Sequence, residues 1–280
     1  MKKAFVLLAV SMIMAPLAYA KSPSNDFKGI TVMSFNIRNS NAKDGTNSWE
    51  LRAEAVLEMI KDQTPDVLGL QEATDLQNHV LDYFLDDYKF IGVGRDDGKK
   101  AGEFISILYN KKTTSVQKWG TFWLSDTPDE PSKGWDAEYM RTATWAIMKD
   151  KKSGSKYFVI NTHLDNSGQQ ARQEGLALIL KRAAELNPDN LPTILMGDFN
   201  MEPDNPALST VRKAMMNCRD IAAKSDDKAT CHSWGKTSER LDYIWIKGFG
   251  SCLEYTTVTK HYKDRAFVSD HYPIKAKMMF

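Results

Sequence analysis

Several features that define common protein classes are scarce in this sequence of 280 residues. It shows no internal repeat and no low-complexity linker, and no apolar run beyond residue 20 is long enough to cross a bilayer. These absences exclude a repeat array and a domain built on membrane-spanning helices. Glycine and proline are scattered along the chain, so we expect a single domain over residues 21–280.

Cysteine is also scarce, and the charge is balanced. Cys218, Cys231 and Cys252 allow one disulfide in an oxidising compartment, with three pairings open, and their spacing matches no zinc pattern. The chain has 37 Lys and Arg against 36 Asp and Glu; without residues 1–20, which hold two of the lysines, 35 basic residues remain and the net charge is −1. A near-neutral chain argues against a strongly electrostatic binder of polyanions, although a local basic patch stays open.

The first 20 residues have the composition of a secretory signal peptide. Two lysines precede an apolar core that extends to Ala15, and Ala18-Tyr19-Ala20 forms a small-x-small cleavage site. The apolar core is too short to serve as a membrane anchor. We therefore expect an exported protein, periplasmic or secreted, whose mature chain begins at residue 21.

One short apolar run ends abruptly in polar residues. The run 193–196 follows Pro192 and predicts a buried strand, after which come Gly197, Asp198, Phe199 and Asn200. Asp198 and Asn200 lie two residues apart in extended chain, so their side chains point the same way. A carboxylate and a carboxamide that converge at a strand end can hold a hard cation and orient a water. An Asp/Asn-rich turn is the alternative interpretation.

Other predicted strands show the same polar ends. Asn36 ends the run 29–36, and Glu72 follows a continuous apolar run that indicates burial on both faces. A glutamate in that position is costly unless it faces water, a cation or a partner. His163 and Asp165 end a third run, two residues apart, which favours a functional histidine over a structural one.

Two further acidic residues flank strands near the end of the chain. Asp242 lies near the start of the run 240–246, which predicts another strand, and Asp270 and His271 precede a terminal strand. Adjacent residues in extended chain point to opposite sides, so Asp270 can reach a cation while His271 reaches a substrate.

These residues form an oxygen-rich set with two histidines. Oxygen ligands select Mg²⁺, Mn²⁺ or Ca²⁺ over zinc. A divalent ion neutralises phosphate charge and a histidine handles a proton, which suits attack of water on a phosphorus ester. The set comprises Asn36, Glu72, His163, Asp198, Asn200, Asp242, Asp270 and His271.

The segments Phe122-Trp123-Leu124-Ser125-Asp126-Thr127-Pro128 and Gly134-Trp135 resemble a secreted bacterial branch of the endonuclease/exonuclease/phosphatase superfamily, the DNase I-like proteins. Six motifs around the polar residues resemble the superfamily as a whole. They occur in the family's order and span nearly the whole mature chain. The resemblance implies an α/β four-layer sandwich, in which two face-to-face mixed β-sheets are flanked by helices. It also implies hydrolysis of phosphoesters with Mg²⁺, or with Mn²⁺ or Ca²⁺, and we expect a monomer. The motifs are Ser34-Phe35-Asn36, Gly69-Leu70-Gln71-Glu72, Asn161-Thr162-His163-Leu164, Gly197-Asp198-Phe199-Asn200, Leu241-Asp242-Tyr243-Ile244 and Ser269-Asp270-His271-Tyr272-Pro273-Ile274.

The resemblance implies a role for individual residues near the metal and the water. Glu72, Asn36 and Asp270 are implied around the metal, with Glu72 the firmest ligand. Asp198 and Asn200 are implied to orient the water and the phosphate. The pair of His271 and Asp242 resembles either the base-side pair or a phosphate contact.

The same resemblance implies contacts on the substrate side. His163 resembles the second histidine, on the leaving-group or phosphate side, and Glu103 resembles the acid that orients it. Arg141 resembles a phosphate-binding arginine, and Asp165 is placed with it among the substrate-binding residues. His232, in Thr230-Cys231-His232, is implied to line the pocket, where Cys231 replaces the family's usual aromatic residue.

Three functions remain open from the sequence. The first is a secreted metal-dependent phosphatase or phosphodiesterase that acts on a small or glycan-linked phosphoester, and the second is a secreted nuclease with the same chemistry. The third is a binding module that lost activity, against which the complete polar set argues. The near-neutral charge favours a small ester over duplex DNA. Aromatic residues from Phe122 to Trp135, with Trp119 before them, could stack on a sugar, although packing is the alternative.

Overall fold

The computed structural model describes residues 29–280 as two stacked β-sheets with helices on both outer faces. The predicted signal peptide, residues 1–20, lies outside the described residues. Among the described helices, none combines the length and the apolar character that a bilayer span requires. The strands are β1 (Gly29–Asn36), β2 (Val67–Gln71), β3 (Tyr88–Ile91), β4 (Ile107–Asn110), β5 (Thr114–Trp123), β6 (Thr142–Asp150), β7 (Lys156–His163), β8 (Thr193–Asp198), β9 (Met216–Asn217), β10 (Asp242–Lys247), β11 (Ser251–Thr257) and β12 (Ile274–Met279). The α-helices are α1 (Trp49–Gln63), α2 (Asp75–Phe84), α3 (Gln169–Leu186), α4 (Leu208–Ala214) and α5 (Cys218–Ile221).

Each sheet is mixed and has six strands. The first sheet has the order β11-β12-β1-β2-β4-β3 and the second the order β5-β6-β7-β8-β10-β9. A parallel pair lies in the middle of each sheet: β1 with β2, where Asn36 faces Gln71, and β7 with β8, where His163 faces Asp198. Because parallel strands end at the same edge of a sheet, these two registers bring the polar strand ends predicted from the sequence to one edge of the sandwich.

Three apolar clusters fill the spaces between four layers. Inward-facing residues of both sheets, such as Ile30, Val159 and Ile194, form the central cluster. A second cluster packs α1 and α2 on the outer face of the first sheet, and a third packs α3 and α4 on the second sheet. The predicted four-layer sandwich is therefore confirmed.

A buried polar link joins the two sheets near this edge. The carboxamide of Gln71 in β2 donates to Asn161 Oδ1 in β7 at 2.7 Å, and Asn161 Nδ2 donates at 2.8 Å to the backbone oxygens of Leu70 and Ser106. Both carboxamide side chains are fully buried, so these bonds replace most of those that water would supply, while Gln71 Oε1 has no partner among the described residues. Gly69 makes the approach feasible, because a Cβ there would lie 2.7 Å from Asn161 Oδ1.

The structure differs from the sequence prediction in short segments and in the thiols. The sequence shows no clear pattern for strands β3, β9 and β11 and helices α4 and α5. All three cysteines are buried free thiols in the structure, so the disulfide that the sequence allowed is not formed.

We predict that Gly69→Ala destabilises the protein by about 1–3 kcal/mol, because the added methyl group overpacks the contact between the sheets. The change in the free energy of unfolding can be measured by urea denaturation. Gly175→Ala is the matched control. Gly175 lies in α3, and an added Cβ there would make ordinary contacts of 3.4–3.8 Å with Leu124 and Leu164. We therefore expect the free energy of unfolding to rise by about 0.5–1 kcal/mol, because alanine has the higher helix propensity. Equal stability of Gly69→Ala and wild type would contradict the close approach.

Candidate active site

Asn36 connects the residues at the shared edge of the two sheets. Its Nδ2 donates to Glu72 Oε1 at 3.0 Å and to Asp198 Oδ2 at 2.9 Å. Its backbone oxygen accepts from Ser269 Oγ at 2.7 Å, which fixes the segment that carries Asp270. Asn36 therefore ties the first sheet to the second and to the loop before β12.

Glu72 and Asp270 lie on one side of Asn36. Glu72 follows the last residue of β2, and its Oε2 accepts from the backbone N–H of Asn39 at 3.0 Å. Asp270 Oδ2 lies 3.5 Å from Arg38 Nη1. Burial raises the pKa of Asp270, and the charge of Glu72 raises it further. The two carboxylates therefore repel each other enough to favour a shared cation.

Asp242 and His271 form a buried pair on the other side. Asp242 begins β10, where it faces Asp198 across the β8–β10 register. Its Oδ2 lies 2.8 Å from His271 Nδ1, as the sequence predicted. Burial lowers the pKa of His271, but the charges of Asp242 and Asp198 raise it well above 6.5. His271 is therefore a buried imidazolium that faces Asp198 with its Nε2 at 3.8 Å.

Asp198 lies between the two histidines. Its Oδ1 accepts from the backbone N–H of Asn200 at 2.9 Å, and its Oδ2 lies 3.5 Å from His163 Nε2. Burial and the charge of Asp242 raise the pKa of Asp198 to about 7. A carboxylate with such a pKa can exchange a proton near neutral pH.

His163 differs from His271 in its charge. Burial lowers the pKa of His163 well below 6.5, and the charges of Arg141 and Arg95 lower it further, so the ring is neutral. Its Nε2 lies 3.0 Å from Asn200 Nδ2, while its buried Nδ1 has no hydrogen-bond partner in the described structure. The edge thus holds one charged and one neutral histidine.

The buried acids at this edge fit a divalent cation. One ligand atom from each of Asp198, Asp242 and His271 lies within 4.8 Å of the others, although the protonated His271 would have to lose a proton to bind a metal. The buried Asp242 Oδ1 has no hydrogen-bond partner among the described residues, which leaves a carboxylate oxygen to be satisfied. Glu72 and Asp270 offer a second group of oxygen ligands beside Asn36. Both groups are dominated by oxygen, which favours a hard ion such as Mg²⁺.

A cavity of about 540 Å³ opens over these residues. Eight of the twelve predicted site residues line it, and Asn36 and Asp242 are hydrogen-bonded to residues of its wall. Three arginines also line it, each paired with a carboxylate: Arg38 with Asp44, Arg95 with Glu103, and Arg141 with Asp165. The predicted residues on the lining are Glu72, Glu103, Arg141, His163, Asp198, Asn200, Asp270 and His271.

The predicted contact between Glu103 and His163 was wrong. Glu103 Oε2 instead accepts from Arg95 Nη1 at 2.6 Å, and its Oε1 accepts from Asn39 Nδ2 at 2.9 Å. Arg95 in the 92–98 loop is a stronger partner for a carboxylate than a neutral imidazole, and no pattern in the sequence indicates that this loop folds over the site. Glu103 therefore positions Arg95 and Asn39 in the cavity wall and does not contact His163.

Asp165 was also wrongly placed among the substrate-binding residues. Its oxygens accept from the backbone N–H groups of Glu138 and Gly168, and from Arg141 Nε at 3.1 Å. The side chain is fully buried behind the cavity, where it fixes both the 134–141 loop and Arg141. Arg141 lines the cavity as predicted, and Asp165 supports it from behind.

His232 does not line the cavity, contrary to the prediction. Its ring stacks between Phe267 and Tyr272, each 4.2 Å away between ring centroids. Burial lowers its pKa to about 4, so the ring is neutral. Its neighbours Cys231 and Ser233 line the cavity instead, because the side chains on either side of His232 face the other way.

Sequence reasoning missed several cavity residues. Arg38, Asn39, Arg95 and Tyr139 all lie in loops, where no periodicity marks which side chains turn inward. The position of Arg38, two residues past Asn36, was the one available signal. Tyr139 is the aromatic ring of the cavity, in contact with Arg95 and Arg141 at 5.2 and 5.4 Å from its centroid.

The aromatic segment that the sequence suggested for substrate stacking serves the core. Phe122 and Trp123 are buried, and Trp135 packs against the cluster under α3. Trp119 is 42% exposed on β5 but does not line the cavity. The packing interpretation was therefore correct for this segment.

Four cavity residues have a left-handed backbone. The φ angles of Arg38, Glu72, Asn200 and Ser233 are 60°, 61°, 49° and 43°. Asparagine tolerates this region, whereas it costs arginine and glutamate on the order of 1–3 kcal/mol each. The surrounding hydrogen bonds hold Glu72 in this conformation, with its carboxylate against Asn36 and Asn39.

Two stacked, six-stranded mixed sheets with helices on both outer faces match the DNase I-like α/β sandwich fold. The chain belongs to the endonuclease/exonuclease/phosphatase family, whose sequence model matches residues 33–271. It is a hydrolase that acts on ester bonds.

Solved structures and a sequence relative support this assignment. An endonuclease/exonuclease/phosphatase from Bacteroides vulgatus is 33% identical, with a TM-score of 0.85 over 90% of this chain and 99% of that one. The mannosyl-6-phosphatase of Bacteroides thetaiotaomicron VPI-5482 is 32% identical, with a TM-score of 0.85 over 90% of this chain and all of that one. The 5′-tyrosyl-DNA phosphodiesterase of Caenorhabditis elegans is 24% identical over 81% of this chain and 58% of its own length.

We predict that His271 and Asp242 act as a unit. Each of His271→Ala and Asp242→Asn should lower kcat by about 100-fold or more, because Asp242 maintains the charge and orientation of the imidazole. The double variant should lose little more than the worse single variant. Steady-state kinetics of all four proteins measures the coupling, and losses that multiply would show that the two residues act independently.

Proposed function

We propose that the protein is an exported, Mg²⁺-dependent phosphatase that removes a phosphate monoester from a sugar or a glycan. The observation that carries this proposal is the pairing of all three cavity arginines with carboxylates. Such a cavity can bind one phosphate beside a metal but offers no row of uncompensated cations for a nucleic acid backbone. The 32% identity to a mannosyl-6-phosphatase over 90% of this chain supports the same substrate class.

Glu72 and Asp270 are the residues we propose as ligands of the ion, with Asn36 beside them. Their carboxylates share one side of the cavity, and the pairing of Asp242 with a protonated His271 suits that group better to phosphate than to a metal. When bound, the ion neutralises phosphate charge and polarises the phosphorus–oxygen bond. Mn²⁺ and Ca²⁺ have the same preference for oxygen ligands and remain alternatives.

The protein residues supply the remaining steps. Asp198, with its pKa near 7, orients a water and accepts a proton from it during attack on phosphorus. His271 contributes a positive charge to the phosphate oxygens, and Asn200 holds Asp198 and His163 in place. Arg141 completes the phosphate contact from the opposite wall, where Asp165 fixes it. Each of these groups is positioned before substrate binds, which reduces the reorganisation needed in the transition state.

A secreted nuclease is the second candidate. The observation in its favour is the sequence similarity to a tyrosyl-DNA phosphodiesterase, although this chain covers only 58% of that protein. A non-catalytic binding module would not need the charged His271–Asp242 pair or the raised pKa of Asp198, so we place it last.

We predict that activity depends on a divalent metal held by Glu72. Chelation with EDTA should abolish turnover, and Mg²⁺ or Mn²⁺ should restore it. Glu72→Gln should lower the rate by about 100-fold and raise the Mg²⁺ concentration needed for half-maximal activity, because a carboxylate ligand becomes a neutral amide. Glu58→Gln, an exposed glutamate on α1, is the control and should behave like wild type. Full activity in excess chelator would show that the metal is not required.

We predict that a sugar phosphate is a better substrate than plasmid DNA. The comparison uses kcat/KM under matched Mg²⁺ at two salt concentrations. The sugar phosphate should react faster and with weak salt dependence, since one phosphate contact releases few counterions. Efficient, salt-sensitive plasmid cleavage with negligible turnover of the small ester would make the nuclease the leading function.

A further inference from the structure

A second cavity of about 420 Å³ adjoins the candidate active site. The two cavities share Asn39, Asn41, Arg95 and Glu103. The hydrogen bonds from Arg95 Nη1 and Asn39 Nδ2 to the two oxygens of Glu103 form the boundary between them. The two cavities therefore adjoin along these four residues.

The walls of the second cavity are fixed before any ligand binds. Ser40 Oγ and Thr74 Oγ1 lie 2.7 Å apart, and the backbone N–H of Ser40 donates to Gln77 Oε1 at 3.2 Å. Thr74 is also the N-cap of α2, in a capping box with Gln77. These bonds tie the 39–41 loop to the start of α2, so the cavity is a built feature and not a gap between loose loops.

The charged side chains of the second cavity carry a net negative charge. Arg95 is paired with Glu103 at 2.6 Å and lies 3.8 Å from Asp96, while Lys100 lies 3.9 Å from Asp75. Three carboxylates thus face two cations. A second phosphate would meet repulsion here, because every cation is already compensated. This balance argues against a nucleotide chain as the occupant.

The polar groups and one apolar side chain match a neutral carbohydrate. The carboxylate of Asp75, the amide of Asn41 and the hydroxyl of Ser40 line this cavity, and such groups can accept hydrogen bonds from sugar hydroxyls or donate to them. Leu76 lies in the first turn of α2 with 56% of its surface exposed, and it offers an apolar surface for the C–H face of a sugar ring. A mixed surface of this kind binds a hydroxylated ring better than a charged one.

We propose that the second cavity binds a neutral sugar unit next to the phosphorylated one, so that the enzyme acts on a glycan that carries a terminal phosphate. This inference rests on the proposed phosphatase function and assigns the place where a glycan substrate continues beyond its phosphorylated unit. Leu76 is its specificity-determining residue. The phosphorylated unit occupies the first cavity beside Tyr139, and the adjacent unit lies against Leu76 beyond Glu103.

The test compares two substrates on the mature enzyme with Mg²⁺: a hexose 6-phosphate, and a disaccharide whose terminal hexose carries the same phosphate. Wild type should prefer the disaccharide in kcat/KM by about five-fold or more, and Leu76→Ala should reduce that ratio toward one. Leu76→Glu should reduce it at least as far, because it removes the apolar surface. Leu51→Ala, a leucine on α1 with 57% exposure, is the matched control and should keep the wild-type ratio.

The outcomes separate this proposal from the phosphatase function. Hydrolysis of both sugar esters with a ratio that Leu76→Ala leaves unchanged would overturn the sugar subsite and leave the phosphatase intact. Failure of both sugar esters, while p-nitrophenyl phosphate or DNA is hydrolysed, would overturn both. A 5′-phosphorylated oligonucleotide that outperforms the disaccharide and loses more activity in Leu76→Ala would show that the cavity binds a nucleotide chain instead.

Discussion

The buried hydrogen bonds between Gln71 and Asn161 are the constraint on which the site depends. They lie in the central layer, where the absence of water makes an unpaired carboxamide costly, and they fix one sheet against the other at the edge that opens onto the cavity. Asn36 and Asp198 sit on different sheets, yet their side chains meet at 2.9 Å. A small shift between the sheets would separate these two side chains. The geometry of the active site therefore depends on the hydrogen bond between Gln71 and Asn161, which lies outside the cavity.

The charges in the cavity are the second constraint on the site. The cavity concentrates carboxylates, and the arginines that enter it come already paired with acids. The remaining negative charge lies around Asn36, where Glu72, Asp198 and Asp270 converge. Such a site attracts a small cation first and an anionic ester second. This order explains how a near-neutral protein can bind a phosphate at a place lined with acids.

Much of the fold and of the inner site could be predicted from the sequence, because short patterns of apolar and polar residues determine both. Apolar runs that end in Asn36, Glu72, His163 and Asp198 became strands that end at one edge. The outer wall could not be predicted in this way. Whether Glu103 meets a histidine or an arginine, and whether His232 faces the cavity or an aromatic stack, depends on how loops fold over the sheets. Loop side chains carry no period that reveals their direction, and the short elements β9 and α5 carry too few residues to form a pattern.

The left-handed backbone at Arg38 and Glu72 has a consequence for the evolution of this protein. Glycine at either position would relieve the conformational cost and favour the folded state, but it would remove the side chain that the site requires. The active site therefore retains two residues, Arg38 and Glu72, whose backbone conformation is unfavourable. Any procedure that selects only for thermal resistance will tend to erode the active site first, and a homologue with glycine at these positions is a candidate for a relative that kept the fold and abandoned the chemistry.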